Sequence, residues 1–331
     1  LASAVEACRD TARLVVLVDA GDRWTGNAYV DMAPTPGMPM IALMNELGYD
    51  VATLGNHEFD HGQAFLGRMI DSMDFEVVCA NVVSEEVDTL IGGTLLTQTG
   101  KDLRNIGVTT VRMKGHKVAG VDYRIVPLAD YEPDILYQKQ VEAYYADPGL
   151  NKPVGRFGNA ADKWGLANWM AAAVADEADA DVGFYHIGGV RLDSIPAGGV
   201  SAAKVYGLEP FGTLVARMEM TPAQMRRMIV SKYNDPVNAK EAHRIDLIST
   251  TPYVIVTDAA DNALDVQFPK LREGRKYKVA VSDYIYRNYK DMEYTGGEIT
   301  VEKVADILLE ELRDDSPLKI DNTPRQRVVR K

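Results

Sequence analysis

Two short segments of the chain carry the side chains with the clearest potential for chemistry. Asp22 lies in the segment GDRWTG, and Asn56, His57 and Asp60 lie in the segment GNHEFD. A carboxylate can bridge two divalent cations, and an amide oxygen is a neutral ligand for one of them. A carboxylate three residues from an imidazole can fix its tautomer and turn the other ring nitrogen towards a substrate. Either segment alone is commonly only a turn, so a functional reading requires that the two meet.

Alternating strands and helices are predicted to bring these segments together. The apolar run Leu14–Asp19 predicts a strand buried on both faces, and Val51–Leu54 predicts the next one. Apolar residues at helical spacing predict one helix over residues 38–47, which ends at Gly48, and another over residues 65–73. A third strand is predicted over residues 75–83. The pattern indicates a parallel sheet, in which loops after successive strands emerge at the same edge. We therefore expect Asp22 and Asn56 to lie close together.

The rest of the chain indicates a second domain. Residues 94–128 predict antiparallel strands, and a Tyr-rich helical stretch covers 132–148. Beyond it we predict the following elements: a helix near 166–174, a strand at 182–185, a helix starting at Thr221-Pro222, strands at 253–257, 264–266 and 277–282, and a helix near 301–312. The predicted organisation is a first domain over 1–131, a linking helix over 132–152 and a second domain over 153–331. The predicted fold class is α/β, with α+β character in part.

Length and composition agree with a two-domain globular protein. The chain has 331 residues, 46% hydrophobic and 25% charged, and more than one hydrophobic core is expected at that length. No apolar run is long enough to span a membrane. The net charge of −12 argues against binding of nucleic-acid polymers, which requires basic surfaces. Cys8 and Cys79 are too few for a disulfide framework or a zinc–thiolate site. The first ten residues predict a helix and not an export signal, so we expect either a cytoplasmic protein or one whose leader has been removed.

The two segments and their surroundings resemble a known family. GDRWTG and GNHEFD resemble two signature blocks of the calcineurin-like metallophosphatases, and FEVVCANVV is similar to the 5′-nucleotidase branch of that superfamily. In the second half, GGVRLDSIPAGGVSAAKVYGLEPFGT resembles the C-terminal substrate-binding domain of 5′-nucleotidases. The resemblance implies an N-terminal metallophosphatase-like β-sandwich flanked by helices, followed by a second, nucleotide-binding α/β domain.

The resemblance implies a hydrolase with two divalent metal ions, zinc, manganese or similar. Asp22 would bridge the metals and Asn56 would bind one of them. A metal-activated water would attack phosphorus in line while the metals neutralise the developing charge. His57, oriented by Asp60, would stabilise the transition state or protonate the leaving oxygen.

The resemblance also implies a nucleoside site in the second domain. Phe211 and Tyr284 would stack on the two faces of the base, with Tyr286 as the competitor for the second position. Arg191 would face the ribose or phosphate, and Asp291 would accept a hydrogen bond from the base or sugar. Considered singly, such aromatic residues are more often core residues, and Arg191 could simply pair with a surface carboxylate.

The sequence departs from the family in its metal ligands. An Asp-x-His block before residue 1 and a Gly-His-x-His block are both missing; the histidines are residues 57, 61, 116, 186 and 243, and none forms His-x-His. Asp22 and Asn56 alone cannot hold two cations, because each cation needs several ligands. Either the chain joins pieces of a longer protein, or it is a deletion form without phosphatase activity. Joined pieces predict Cα–Cα separations at Ser84–Glu85 and Gly93–Thr94 that differ from the usual value of about 3.8 Å.

The second domain departs more mildly. His186 and Ile187 precede the glycines where the family usually has Asn-Gly-Gly-Ile-Arg, Thr213 stands where an Asn often contacts the base, and RNYKDM replaces a Gly-Gly-Asp-Gly loop. The resulting prediction is hydrolysis of 5′-nucleotides, without preference for one base. The alternatives are cleavage of 2′,3′-cyclic nucleotides or UDP-sugars, a non-catalytic nucleotide-binding protein, and an unrelated α/β enzyme in which Asp22 and His57 lie far apart. By resemblance we expect a periplasmic, secreted or cell-surface location.

Overall fold

Helices and strands follow the hydrophobic pattern of the sequence closely. The computed structural model describes residues 1–78, 89–91, 94–96, 103–115, 117–240 and 244–331. Its helices are α1 (Ala2–Arg9), α2 (Ala28–Asp31), α3 (Met38–Leu47), α4 (Gln63–Ile70), α5 (Ile135–Tyr145), α6 (Pro148–Asn151), α7 (Lys163–Glu177), α8 (Ala202–Leu208), α9 (Pro222–Asn234), α10 (Asp283–Asn288) and α11 (Val304–Asp314).

The strands of the same ranges are β1 (Val18–Asp19), β2 (Val51–Thr53), β3 (Glu76–Val78), β4 (Thr89–Ile91), β5 (Thr94–Leu96), β6 (Asn105–Lys114), β7 (Lys117–Pro127), β8 (Pro153–Phe157), β9 (Ala161–Asp162), β10 (Val182–His186), β11 (Ser194–Ile195), β12 (Gly198–Ser201), β13 (Leu214–Met220), β14 (Leu247–Ser249), β15 (Tyr253–Thr257), β16 (Ala263–Gln267), β17 (Tyr277–Ser282), β18 (Thr295–Lys303) and β19 (Gln326–Arg330). The mixed α/β class predicted from the sequence is confirmed.

Local sequence signals set the ends of several helices. α9 begins with a capping box. The Thr221 hydroxyl accepts a hydrogen bond from the backbone N–H of Gln224, and Gln224 Oε1 accepts one from the backbone N–H of Thr221 at 2.8 Å. Pro222 occupies the first helical position, where its missing N–H costs nothing. α3 ends at Gly48, which has a φ of +69°. Both predicted helix boundaries are confirmed.

The chain forms two compact units. The first comprises Leu1–Trp24 and Gly37–Ala146, and the second comprises Thr25–Pro36 and Asp147–Lys331. Of the stretch predicted as a linking helix, α5 falls in the first unit and α6 in the second.

A parallel sheet organises the first unit. Its strand order is β1-β2-β3, with Val18 paired to Val51 and Val51 to Glu76. α3 packs Met44 against Ala52 of the central strand and Phe75. β4 with β5, and β6 with β7, form antiparallel pairs, as predicted for residues 94–128.

The first strand differs from the prediction. The apolar run predicts burial on both faces over residues 14–19, but only Val18–Asp19 is strand, and Leu14, Val16 and Val18 are 81%, 58% and 63% exposed. An apolar run predicts an extended backbone, but burial depends on another element covering it, which a local pattern does not encode.

A mixed five-stranded sheet organises the second unit. Its order is β14-β10-β17-β13-β18, with β10 and β17 parallel and the other pairs antiparallel. Successive residues of β10 belong to two different hydrophobic cores. Tyr185 packs with α7 and α11, and Phe184 packs with α9. Helices therefore cover both faces of this sheet. A smaller sheet of order β16-β15-β19 packs beside α9.

Some sequence predictions lie outside the described residues. These are residues 79–83 of the third predicted strand, the Cα separations at Ser84–Glu85 and Gly93–Thr94, Cys79, His116 and His243. Among the helices in the described ranges, none combines the length and apolar character that crossing a bilayer requires.

Candidate functional site

The loops after β1 and β2 meet, as the parallel pattern predicts. The His57 backbone N–H donates to Asp22 Oδ1 at 3.0 Å. Asp22 adopts a φ of +58°, a left-handed conformation that Asp tolerates better than most residues. Asp22 and His57 are therefore direct neighbours, and the alternative in which they lie far apart is wrong.

The buried carboxylate of Glu58 ties the two loops together. It accepts from the backbone N–H groups of Asp22 at 2.7 Å, Arg23 at 2.8 Å and Gly55 at 2.6 Å. Glu58 is 0% exposed, so these charge-assisted hydrogen bonds satisfy it away from water. Sequence reasoning assigned no role to Glu58. The available signal was its place in a glycine-bordered loop, where amide groups commonly lack partners.

Arg23 supplies the positive charge beneath these loops. Its guanidinium contacts Asp19 Oδ1 through Nε at 3.0 Å and through Nη2 at 2.9 Å, and Nη2 also donates to the Thr53 carbonyl. Its Nη1 lies 3.9 Å from Glu58 Oε1. The Arg23 side chain is 2% exposed, so it balances two carboxylates that would be costly to bury alone.

Two glycines allow the loop backbones to touch. Gly21 has a φ of +93°, and a Cβ there would lie 2.3 Å from the Gly55 nitrogen. A Cβ on Gly55 would lie 2.1 Å from Asp22 Oδ1. Any side chain at either position would therefore push the loops apart.

His57 and Asp60 form a hydrogen-bonded pair at the surface of the second loop. His57 Nδ1 lies 2.8 Å from Asp60 Oδ2, and the two side chains are 22% and 26% exposed. A carboxylate on Nδ1 orients the ring and directs proton chemistry to Nε2. Asn56 is exposed and precedes the 3₁₀ turn His57–Phe59.

The described side chains do not fit a two-cation centre. Within the ranges that the structure covers, no three His, Cys, Asp or Glu side chains are grouped closely enough to hold a metal ion. Asp22 and Asn56 carry oxygen atoms that can ligate a divalent cation, but each cation needs several such donors. Asp19, the nearby carboxylate, is bound to Arg23. The described residues therefore provide a polar, preorganised pair of loops and not a complete metal site.

The second candidate site lies at one edge of the five-stranded sheet. His186 ends β10 and Ser282 ends β17, and these two strands run parallel. β13 pairs antiparallel with β17, with Val215 opposite Ser282, so the loop before β13 and the helix after β17 lie at the same edge. Phe211 is in that loop and Tyr284 is in that helix, α10. Ligands commonly bind at the carboxyl ends of parallel strands.

Three contacts hold the segments of this edge together. The Leu214 N–H donates to Asp283 Oδ1 at 3.1 Å, which ties the Phe211 loop to the start of α10. The Arg191 N–H donates to the Leu208 carbonyl at 3.0 Å, and the Arg191 guanidinium lies 5.6 Å from the centre of the Phe211 ring. The structure thus groups Arg191 with Phe211 in a cation–π contact.

Tyr284 and Tyr286 have different environments. Tyr284 is 48% exposed and stacks on His186, with ring centres 4.5 Å apart. Tyr286 packs against Tyr294 and the core beneath α9. Exposure at the sheet edge thus favours Tyr284 over Tyr286 as a base-stacking residue.

Asp291 faces α9. Its Oδ2 accepts from the Ser231 hydroxyl at 2.7 Å, and its φ is +55°. Ser231 and Tyr284 line one shallow cavity together with Lys232, Asp235, Asn288, Tyr289 and Lys290. Asp291 is therefore next to a residue of the Tyr284 cavity.

Buried titratable groups lie beneath this edge. Glu209 is 1% exposed and accepts a hydrogen bond from the Thr213 hydroxyl. Burial raises the pKa of Glu209, although hydrogen bonds from Thr213 and from the Phe211 backbone oppose the shift. Burial, together with the charge of Lys232, lowers the pKa of His186 from 6.5 to about 3. Neither Glu209 nor His186 was among the site residues predicted from the sequence.

Comparison with known proteins connects the second unit to one family. The family model for the 5′-nucleotidase C-terminal domain matches residues 150–295. This range contains Arg191, Phe211, Tyr284 and Asp291.

Curated relatives match short portions of the chain. A probable 5′-nucleotidase of Treponema pallidum is 31% identical over 112 residues, which are 33% of this chain and 18% of that protein. A 2′,3′-cyclic-nucleotide 2′-phosphodiesterase/3′-nucleotidase of Haemophilus influenzae is 38% identical over 88 residues, 25% of this chain and 13% of that protein. The matched regions thus span less than a fifth of these relatives.

A solved structure matches nearly the whole chain. The 5′-nucleotidase precursor of Thermus thermophilus aligns with 99% of this chain and 92% of its own, with a TM-score of 0.76 and 14% identity. At that identity the likeness shows a shared fold.

Proposed function

We propose that the chain is a member of the 5′-nucleotidase family and a phosphoric ester hydrolase that releases phosphate from 5′-nucleotides. The observation that carries the proposal is the hydrogen bond between His57 and Asp60 in a loop that is joined to Asp22. This arrangement presents an oriented imidazole beside a carboxylate, which is suited to proton transfer during ester cleavage.

The proposed role of His57 is to protonate the leaving oxygen of the ester. Asp60 holds Nδ1, so the proton is delivered from Nε2. A water molecule forms the new P–O bond and gives up a proton to solvent while the P–O bond to the nucleoside breaks. The leaving oxygen takes the proton from His57 and departs as the hydroxyl of the nucleoside. Glu58 supports the step indirectly because it fixes the backbone that carries His57 beside Asp22.

The second unit is proposed to bind the nucleoside. Tyr284 and Phe211 are placed at one sheet edge, and aromatic rings can stack on any base. Arg191 lies against Phe211 and offers a planar fork of donors for the ribose or phosphate. Asp291, through its position next to Ser231, is proposed to contact the base or sugar.

Two divalent cations, zinc or manganese, remain part of the proposal through family membership. Such a pair would supply an activated water and neutralise charge on the phosphoryl group. Asp22 and Asn56 would be two of the ligands, and the described residues do not complete the set. A periplasmic or extracellular location is likewise proposed from the family alone.

Phosphate release tests the proposal directly. The full-length gene product is assayed with AMP, 2′,3′-cyclic AMP and UDP-glucose, with added Zn²⁺ or Mn²⁺ and after chelation. We expect metal-dependent release from AMP, and we expect His57→Asn to lower kcat by about 100-fold or more. AMP affinity, measured separately, should stay within about twofold because His57 is not proposed to bind the nucleoside. Conversion of 2′,3′-cyclic AMP to a nucleoside monophosphate, or of UDP-glucose to UMP and glucose 1-phosphate, is followed by chromatography. Either conversion without phosphate release from AMP would assign one of the alternative substrates.

A non-catalytic nucleotide-binding protein is the second candidate. The absence of a three-donor cluster among the described residues favours it. It predicts AMP binding that needs Tyr284 and Arg191, with none of the three substrates hydrolysed in the presence of either metal.

A further inference from the structure

A stack of three rings supports the edge of the second unit. The His186 ring lies between Tyr185 and Tyr284, with ring centres 5.3 Å and 4.5 Å apart and interplanar angles of 22° and 24°. Exposure increases along the stack: Tyr185 is fully buried, His186 is 9% exposed and Tyr284 is 48% exposed. The stack therefore runs from the core to the surface and ends at Tyr284.

The surroundings of His186 restrict its ring. His186 is the last residue of β10, where it pairs with Leu247 of β14. Its Nδ1 lies 3.5 Å from the hydroxyl of Ser282, and that hydroxyl also caps α10 by accepting from the Ile285 N–H. A Cβ on Gly189 would lie 2.5 Å from His186 Cε1, so the glycine turn closes against the ring edge. His186 is thus fixed from the strand, the helix cap and the turn.

Tyr284 needs such support because its own element is short. α10 has six residues, and about half of the Tyr284 side chain faces solvent. An exposed aromatic side chain loses rotamer freedom when a ligand stacks on it, and this loss weakens binding. A fixed ring on one face removes part of that freedom before the ligand arrives.

We propose that His186 is a positioning residue that backs one face of Tyr284, so that a nucleobase stacks on the opposite face. The inference rests on the proposed nucleoside binding and adds a residue that determines how tightly a base, as distinct from a sugar phosphate, is held. His186 does not touch the ligand and acts through Tyr284.

The chemical state of His186 agrees with this role. Burial and nearby Lys232 hold its pKa at about 3, so the ring is neutral at physiological pH. A neutral imidazole acts here as a flat aromatic surface, and a phenyl ring can replace it in that role.

Binding measurements with two ligands test the inference without requiring turnover. AMP contains a base, and ribose 5-phosphate does not. We expect His186→Leu, which fills the volume without a planar ring, to weaken AMP binding about tenfold and to leave ribose 5-phosphate within about twofold. His186→Phe should restore AMP affinity to within about threefold of the wild type. Tyr286→Leu is the matched control on the same helix, and it should leave the affinity ratio of the two ligands unchanged.

Several outcomes would overturn the inference. These are equal weakening of both ligands by His186→Leu, unchanged AMP binding in that variant, or His186→Phe binding as weakly as His186→Leu. If His186→Leu does not fold, the His186→Phe variant tests the inference by itself. Loss of the preference for AMP over ribose 5-phosphate in a folded His186→Phe variant would contradict the proposed role. A wild-type chain that does not bind AMP overturns this inference together with the proposed nucleoside site. AMP binding without phosphate release overturns only the hydrolytic proposal.

Discussion

Single residues with partners distant in the sequence hold the first site together. Glu58 accepts from amides at Asp22 and Arg23, which are 36 and 35 residues away, and the result is one continuous pair of loops. Asp22, His57 and Asp60 could be chosen as candidates from the sequence because the segments that resemble the family blocks contain them, and the structure places them together. Glu58 and His186 were not given roles, because those roles depend on which backbone or ring the fold brings against them.

Removing the charge of Glu58 tests its function as the link between the loops. In Glu58→Gln the amide keeps one acceptor oxygen and places a donor group against backbone N–H groups. An unsatisfied buried donor costs about 1–3 kcal/mol, so we expect a free energy of unfolding lower by about 2 kcal/mol in urea denaturation. Glu76→Gln, at an exposed strand position, should change it by less than about 0.5 kcal/mol. Equal stability of Glu58→Gln and wild type would show that the three hydrogen bonds are dispensable.

At the scale of elements, prediction succeeded where the signal is local. The capping residue and proline of α9, and the terminal glycine of α3, lie within a few positions of the helix ends that they define. Burial was predicted less well. Leu14, Val16 and Val18 are apolar yet exposed, because cover over a strand comes from elements elsewhere in the chain.

The capping box of α9 gives a prediction at this scale. Thr221→Ala removes the hydroxyl that accepts from Gln224, and loss of such a cap costs about 1 kcal/mol. Thermal unfolding of the second unit should therefore begin at a lower temperature. Thr221→Ser keeps the hydroxyl and should retain most of the stability. If the alanine and serine variants unfold alike, the cap does not stabilise α9.

At the scale of the whole molecule, two buried groups make stability depend on pH in opposite directions. Burial raises the pKa of Glu209 above 4.5, so the folded chain retains a proton that the unfolded chain releases. The contribution of Glu209 to the free energy of unfolding is fully present at pH values below its pKa in the unfolded chain. It is lost as the pH rises through its pKa in the folded chain. The pKa of His186 is lowered from 6.5 to about 3, so its contribution is lost as pH falls through that interval.

Glu209→Gln separates these two contributions. Glutamine cannot ionise and can still accept from Thr213, so the variant should lose less stability than the wild type as pH rises above the ordinary pKa of a glutamate side chain. The measurement is the unfolding midpoint of the second unit at several pH values. Glu310→Gln, an exposed position on α11, should follow the wild-type curve. Parallel curves for Glu209→Gln and wild type would mean that Glu209 does not contribute to this dependence.

The contact between Gly21 and Gly55 determines how the first site can move. Because main-chain atoms set the gap between these loops, rotation of side chains cannot widen it. A larger opening requires β1 to shift relative to β2, against the hydrogen bonds of the sheet. In the proposed hydrolase, a change of substrate specificity would therefore have to come from the side chains around these loops and not from a wider gap between them.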